Sequence, residues 1–439
     1  MHSLKPHPVH RILCSLGAVA LMVTSAHGEQ AKDRSWDEAR IRASHVQHRS
    51  AAELSGEPVF EADPRSLSVV VQKGANRATV LGGDPLQVLH RFEIRPTTHK
   101  AGEVSPDGRF AYLASRDGGV AKFDLYSLKR VAEIRVGTRT HNIAVSGDGA
   151  TVMAANRDPH TLVALDADDL SLLKVIPARS KGGADSRVGP VYTAPPRKTF
   201  IAALKDTPEI WEISYRQDPP AGFGGWVHDY REKSGDADTS QRFPVRRIEQ
   251  NTPFGRFFFD RDYTLAFLAS GERDEVRMVD LDTNHCLATL RMPGLPPGAS
   301  RITWNHEDRP LLATPSLGEG AVTVVDMESF ETLKRIGTLG PGNFIRSHSG
   351  SRYAWIDISA ARHADKIQIL DKQRLEIVET LRPVPGKPAS RVVFSRDGRY
   401  AVVSVGTKGQ KFVIYDARTL DKVQKITVSN SRIKRGSLD

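Results

Sequence analysis

"EVSPDGRFAYLASRDGGVAKFDLYSLKRVAEIRV", Glu103–Val136, decides how the rest of the chain is read. Short runs rich in valine, leucine and aromatic residues alternate with breaks: Ser-Pro-Asp-Gly, then "RDGG", then "YSL". Such runs between turn residues read as consecutive antiparallel strands. Aspartate caps a tight turn and glycine supplies the positive φ that the turn needs. Asp107, Asp148 and Asp397 are therefore read as turn formers and not as catalytic carboxylates.

The pattern recurs along the chain. "IAVSGDGATVMAANRDPHTLVALDADDLSLLKVIPA" follows at once, and a worn copy begins at Tyr192. Further copies begin at Phe257, Ile302, Ile345 and Val392. The turn glycines Gly108 and Gly149 are 41 residues apart, and Gly350 and Gly398 are 48 apart. A period of roughly 40–50 residues with four strands per unit marks a β-propeller blade. Seven units are complete. "LSVVVQK", "RATVLGG" and "QVLHRFEI" form an eighth that lacks its inner strand, and the tail "SNSRIKRGS", Ser429–Ser437, is placed to supply it. The expected fold is all-β: an eight-bladed propeller of four-stranded blades over residues 66–439, closed by N- and C-terminal strands in one blade, which leaves no free sheet edge at the seam. Arg216–Gln250 is too long for a hairpin turn and is expected to fold over one face.

The start of the chain has another character. "HRILCSLGAVALMVTSAHG" has a basic beginning, an apolar stretch and small residues at Ala26 and Gly28, as a cleavable export signal does. Residues 1–28 are read as that signal, and residues 29–65 as a polar segment containing a short helix. The apolar stretch is too short to cross a membrane, and export places the mature protein in the periplasm. His45 and His48 are read as a solvated pair. Cys286 would be the only cysteine left, a small buried residue in a strand. No C-x-x-C-H string is present, so no c-type heme is expected. The net charge is +10. In an exported protein this suggests either an acidic small ligand or partner more than nucleic acid, or a charge that serves solubility alone.

"GRFAYLASRDGGVAKFDL", "HDYR", "FFFD", "LLATPSLGEGAVTVVDM" and "LGPGNFIRSHSGSRYAWID" stand here in an order that resembles the heme d1 family. That family includes the d1 domain of cytochrome cd1 nitrite reductase and the heme d1 biosynthesis proteins NirF and NirN, and the resemblance is closest to the NirF branch. It implies a heme d1-type tetrapyrrole in the central cavity. His99 matches the family's axial iron ligand, a metal-binding role. His348 matches a histidine on the other side of the macrocycle and is the candidate catalytic residue. Arg116 matches an arginine beside the tetrapyrrole carboxylates. Ser316, in "TPSLGEG", stands where the family often has a second distal histidine. A hydroxyl cannot become a cation near neutral pH, which argues against nitrite reduction.

Residue chemistry supports the transfer. Arginine pairs with carboxylates in bidentate fashion. Arg116, Arg157, Lys205 and Arg273 fall at the equivalent bend, between second and third strands, in four successive units. In a ring those bends share one face. The function implied is a periplasmic tetrapyrrole-binding protein of heme d1 biosynthesis, converting or carrying a late precursor. The cytochrome cd1 nitrite reductase or other heme d1 assembly proteins are its implied partners. The alternative is a propeller that has lost heme and serves as a protein-interaction platform.

Overall fold

The structure is a computed structural model that describes residues 36–427 except 73–75, 99–101, 221, 224–241, 252–253, 255, 261, 270–273, 293, 295–299 and 407–410. The export signal, the C-terminal tail, the "HDYR" string, His99 and Arg273 lie outside the described residues.

Eight antiparallel sheets follow one another along the chain, each with its strands in meander order. The first has three strands among the described residues, Ser68–Gln72, Arg77–Gly82 and Gln87–Glu93, and is called here the N-terminal blade. Blades 1 to 7 follow, with inner strands at Glu103–Val104, Arg139–Val145, Val188–Ala194, Arg256–Phe259, Ile302–His306, Ile345–Arg346 and Ala389–Phe394. Each of these seven has three further strands outside the inner one.

The apolar residues show that these sheets form a ring. There are eight hydrophobic clusters among the described residues, and each joins two successive blades. Ile143, Val145 and Val152 of blade 2 meet Tyr112, Val120 and Ile134 of blade 1. The same arrangement runs through to blades 6 and 7, joined by Trp355, Ile369, Val403 and Val413. Tyr400, Val402 and Phe412 of blade 7 then pack on Val70 and Leu81 of the N-terminal blade. Phe92 and Val80 of that blade pack on Leu113 and Phe123 of blade 1. The cycle closes with eight members, as the repeat count predicts. Polar contacts reinforce the seam: Arg399 and Tyr400 both donate to Asp84, Ser68 Oγ donates to the Phe394 carbonyl, and Gln424 donates to the Leu86 carbonyl.

Within each meander the two ends of a blade differ. The turns between strands one and two, and between three and four, lie at one end, the turn face. The bends between strands two and three, and the links to the next blade, lie at the other, the crossover face. At the turn face the Ser-x-Asp-Gly motif works as its chemistry requires. Ser105, Ser146 and Ser395 donate to Asp107, Asp148 and Asp397, which in turn accept the backbone N–H of Arg109, Ala150 and Arg399. Gly108, Gly149 and Gly398 take φ of 78°, 76° and 73°, open to glycine and strained for other residues.

The polar N-terminal segment is strapped to the ring. Its helix, Glu38–Ala43, buries Ile41 in the cluster between blades 1 and 2, and Val46–Gln47 adds a fifth strand to the outer edge of blade 1. The helix ends before His45 and His48. The His45 ring meets the Asp169 carbonyl at 2.7 Å and His48 approaches Glu133 at 3.6 Å. Cys286 is corrected from buried to exposed: it lies on an outer strand, Cys286–Arg291, where few residues are covered.

Candidate functional site

The crossover face brings most of the expected cations together. Arg116 follows the second strand of blade 1, Arg157 lies next to the end of that of blade 2, Thr151–Asp158, and Lys205 follows that of blade 3. They are joined by cations that sequence reasoning missed: Arg139 and Arg256, which open the inner strands of blades 2 and 4, and Arg187, which precedes the inner strand of blade 3. Burial, then the guanidiniums of Arg139, Arg187 and Arg116, hold Arg157 below its ordinary pKa. Burial, Arg157 and Arg187 do the same to Lys205. Arg187 is neutralised by Asp206. Among the described residues no carboxylate pairs with Arg116, Arg139, Arg157 or Lys205, and the buried Nε of Arg157 has no hydrogen-bond partner. Like charges gathered without counter-charges cost energy unless an anion joins them.

Ser316 lies at the equivalent bend of blade 5, on the same face. Its Oγ accepts the backbone N–H of Gly318 at 3.2 Å and of Glu319 at 3.1 Å, and it is buried. It shapes the bend.

A second group lines the interior along the inner strands. Arg301 precedes the inner strand of blade 5, Arg346 ends that of blade 6, and Arg391 lies within that of blade 7. Arg391 occupies a bulge, with φ 57° and a register shift between Ser390 and Val392, a device that re-aims a side chain. Facing them are Tyr192 of blade 3 and Glu103 of blade 1. Glu103, Tyr192, Tyr263 and Arg301 line one cavity of about 540 Å³. A neighbouring cavity of about 400 Å³ runs beside Ser68–Val71 and reaches Glu103 and Arg391. Burial lifts the Tyr192 hydroxyl above its ordinary pKa; Arg301 and Arg346 oppose that rise and Glu103 adds to it. Burial lowers Arg301 and Arg346, and burial with Arg346 alongside brings Arg391 down to about 10. One signal for this group was in the chain: Ser-Arg-Ile at 300–302 recurs as Ser-Arg-Val at 390–392.

His348 is not at this interior cluster's face of the blade-6 turn but in the turn itself. Its Nδ1 accepts the N–H of Gly350 at 3.2 Å, the task of the aspartate in the other turns. Its Nε2 meets the carbonyl of Arg396, in the turn of blade 7, at 3.2 Å. A carbonyl only accepts, so Nε2 carries the proton, and the neutral ring is satisfied on both sides. The ring packs where a Cβ on Gly398 would stand, so that glycine also makes room for the imidazole.

Comparison with known proteins agrees with this architecture. A model of the cytochrome D1 heme domain family matches residues 62–433. The dihydro-heme d1 dehydrogenase of Pseudomonas aeruginosa is 41% identical over 398 residues, covering 91% of this chain and 76% of that protein. Protein NirF of the same organism is 26% identical over 376 residues, covering 81% and 87%. The solved structure of dihydro-heme d1 dehydrogenase NirN in complex with DHE superposes with a TM-score of 0.81, covering 90% of this chain and 80% of that one. The resemblance to the NirF branch rests on the lack of a c-type heme string and on "HDYR" and "FFFD", whereas identity over the whole propeller is greater to the dehydrogenase. With the eight-bladed ring, the cationic crossover face and this match in view, the chain belongs to the cytochrome d1 heme domain family.

Proposed function

We propose that this protein binds a heme d1-type tetrapyrrole in the centre of its ring and acts on, or carries, a late precursor in heme d1 biosynthesis. The observation that carries this reading is the set Arg116, Arg139, Arg157 and Lys205, which converge on one face without carboxylate partners among the described residues. A planar ligand edged with carboxylates supplies the missing negative charge. The arginines along the inner strands would hold its other edge. Both related proteins named above are heme d1 proteins, and the more similar is named for oxidising a dihydro form. The tetrapyrrole iron, held by His99 in this reading, would supply the ligand field seen in the visible spectrum. Arg273, at the fourth equivalent bend, is proposed to extend the cationic face, and the export signal is taken to place the mature protein in the periplasm.

Absorbance titration with heme d1 tests the binding. A bound spectrum that changes in His99→Ala supports the reading, and no binding leaves the ring as an interaction platform. Mixing the protein with dihydro-heme d1 and a soluble electron acceptor separates conversion from carriage. His348 is proposed as the proton-transfer residue, which requires release of its bond to Arg396. Loss of conversion in His348→Ala with unchanged pigment binding and melting supports that role. A lower melting temperature with conversion intact assigns it to joining the turns of blades 6 and 7.

A further inference from the structure

The crossover-face cations explain how an anionic ligand is attracted, but they leave one interior group unused. Glu103 opens the inner strand of blade 1 and borders both cavities, facing the same space as Tyr192 and Arg301. Water reaches it, yet protein crowds it closely enough that burial lifts its carboxyl to about 7. Among the described residues its carboxyl makes no hydrogen bond and no ion pair. No side chain or backbone group of the described fold engages that carboxyl, which leaves it open to a ligand in the two cavities it borders. Resting on the tetrapyrrole reading above, we propose that Glu103 meets the ligand's edge as a neutral acid, donating a hydrogen bond to a ligand carboxylate, so that capture of the macrocycle depends on pH.

The physical argument is one of like charges. Ligand carboxylates are ionised near neutrality, and the surrounding arginines draw them in. A protonated Glu103 shares its proton with one of them. An ionised Glu103 beside the same carboxylate repels it, as in any pair of carboxyls that share a site. Few neighbours titrate in the same range. Tyr112 on the adjoining strand, Tyr192 and Tyr263 are all raised by burial above the ordinary tyrosine value. Arg301, Arg346 and Arg391 stay cationic near neutrality. Arg139 and His141 stand on the blade-2 inner strand packed against Glu103–Val104, and Asp107 and Arg109 in the turn beyond. A histidine contribution is common to wild type and variant, so the difference between them isolates Glu103.

The test uses the full chain with iron protoporphyrin IX, whose propionates serve as the carboxylate probe, titrated by absorbance from about pH 6 to about pH 9. Wild-type affinity should fall by up to about tenfold per pH unit once Glu103 ionises. Glu103→Gln keeps a hydrogen-bond donor at all these values, so it should bind as tightly as wild type at the acid end and lose that fall. Melting of the ligand-free proteins supplies a second readout. A raised carboxyl pKa costs folded-state stability as pH rises from the ordinary glutamate value to about 7. Glu103→Gln should therefore gain melting temperature over wild type above neutrality and not at about pH 4. A Gln variant that follows the wild-type pH curve, or a wild type that binds with no pH dependence, overturns the role of Glu103 and leaves the binding reading standing. A wild type that takes up no porphyrin at any pH overturns both.

Discussion

The two faces of the ring use the same residue types for opposite purposes. At the turn face, arginines that open second strands are matched to the aspartates that end third strands. Arg109 pairs with Asp124 at 2.9 Å, Arg309 with Asp326 at 3.7 Å, and Arg352 with Asp371. Those aspartates also accept backbone N–H groups of the following turn, from Tyr126 and Ser127 in blade 1 and from Gln373 and Arg374 in blade 6. At the crossover face Arg116, Arg139, Arg157 and Lys205 have no such partners among the described residues. The difference separates charge that holds a blade together from charge kept open for a ligand. A count of arginines does not distinguish the two, whereas the position of each relative to the meander does.

The largest effect expected from breaking this contrast is on stability at the turn face. Asp124 is fully buried and accepts from Arg109, Ser127 and two backbone amides. Asp124→Ala leaves those donors unpaired and should cost about 3 kcal/mol in denaturant unfolding. Burial raises the Asp124 pKa, but Arg109, Ser127 and the Tyr126 amide outweigh it and hold it below the ordinary value. Its contribution is thus present at neutral pH and is lost as pH falls through that depressed folded value.

Arg157→Ala should invert the pattern: unfolding unchanged or slightly harder, because repulsion from Arg139, Arg187 and Arg116 is relieved, and tetrapyrrole affinity at least about tenfold weaker, or ~1.4 kcal/mol. Equal loss of stability in both variants would erase the distinction between the faces. Ser316→Ala should cost about 1 kcal/mol of stability, for two amides left without their acceptor, with little change in affinity. The smallest effect sharpens the contrast by adding to the open set. Asp206→Asn frees Arg187 and should tighten binding a few-fold at low salt, while loss of this partly exposed pair changes unfolding by less than about 1 kcal/mol.

The blade repeat was legible because its turns are built from local side-chain chemistry. Ser105, Asp107 and Gly108 satisfy one another within a few residues, so the motif survives in sequence wherever the turn survives. The cations of the crossover face were legible for a related reason: a bend at a fixed place in the meander puts Arg116, Arg157 and Lys205 in register. The interior group was legible only in part. Arg301 and Arg391 hold one repeat position, in Ser-Arg-Ile and Ser-Arg-Val, whereas the blade-6 inner strand has two residues, Ile345–Arg346, and its arginine falls outside that register. Glu103 reads as an ordinary polar strand residue until the ring is closed around it. His348 illustrates the reverse: family likeness marked the residue, and only the folded ring shows the imidazole doing an aspartate's work between two turns.

The seam at Asp84 has a kinetic consequence. Contacts within a blade join neighbours in sequence, so a blade can form as soon as its own strands exist. The bonds of Asp84 to Arg399 and Tyr400 instead link residues 315 and 316 positions apart. Joining ends so distant carries a large loop-closure entropy and comes late in folding. The crossover cations come from blades 1 to 4 and the interior arginines from blades 5 to 7, so the two halves of the site face each other only after that closure. A chain stopped before Arg399 can build most of its blades and still leave the ring open, with the two halves of the site apart.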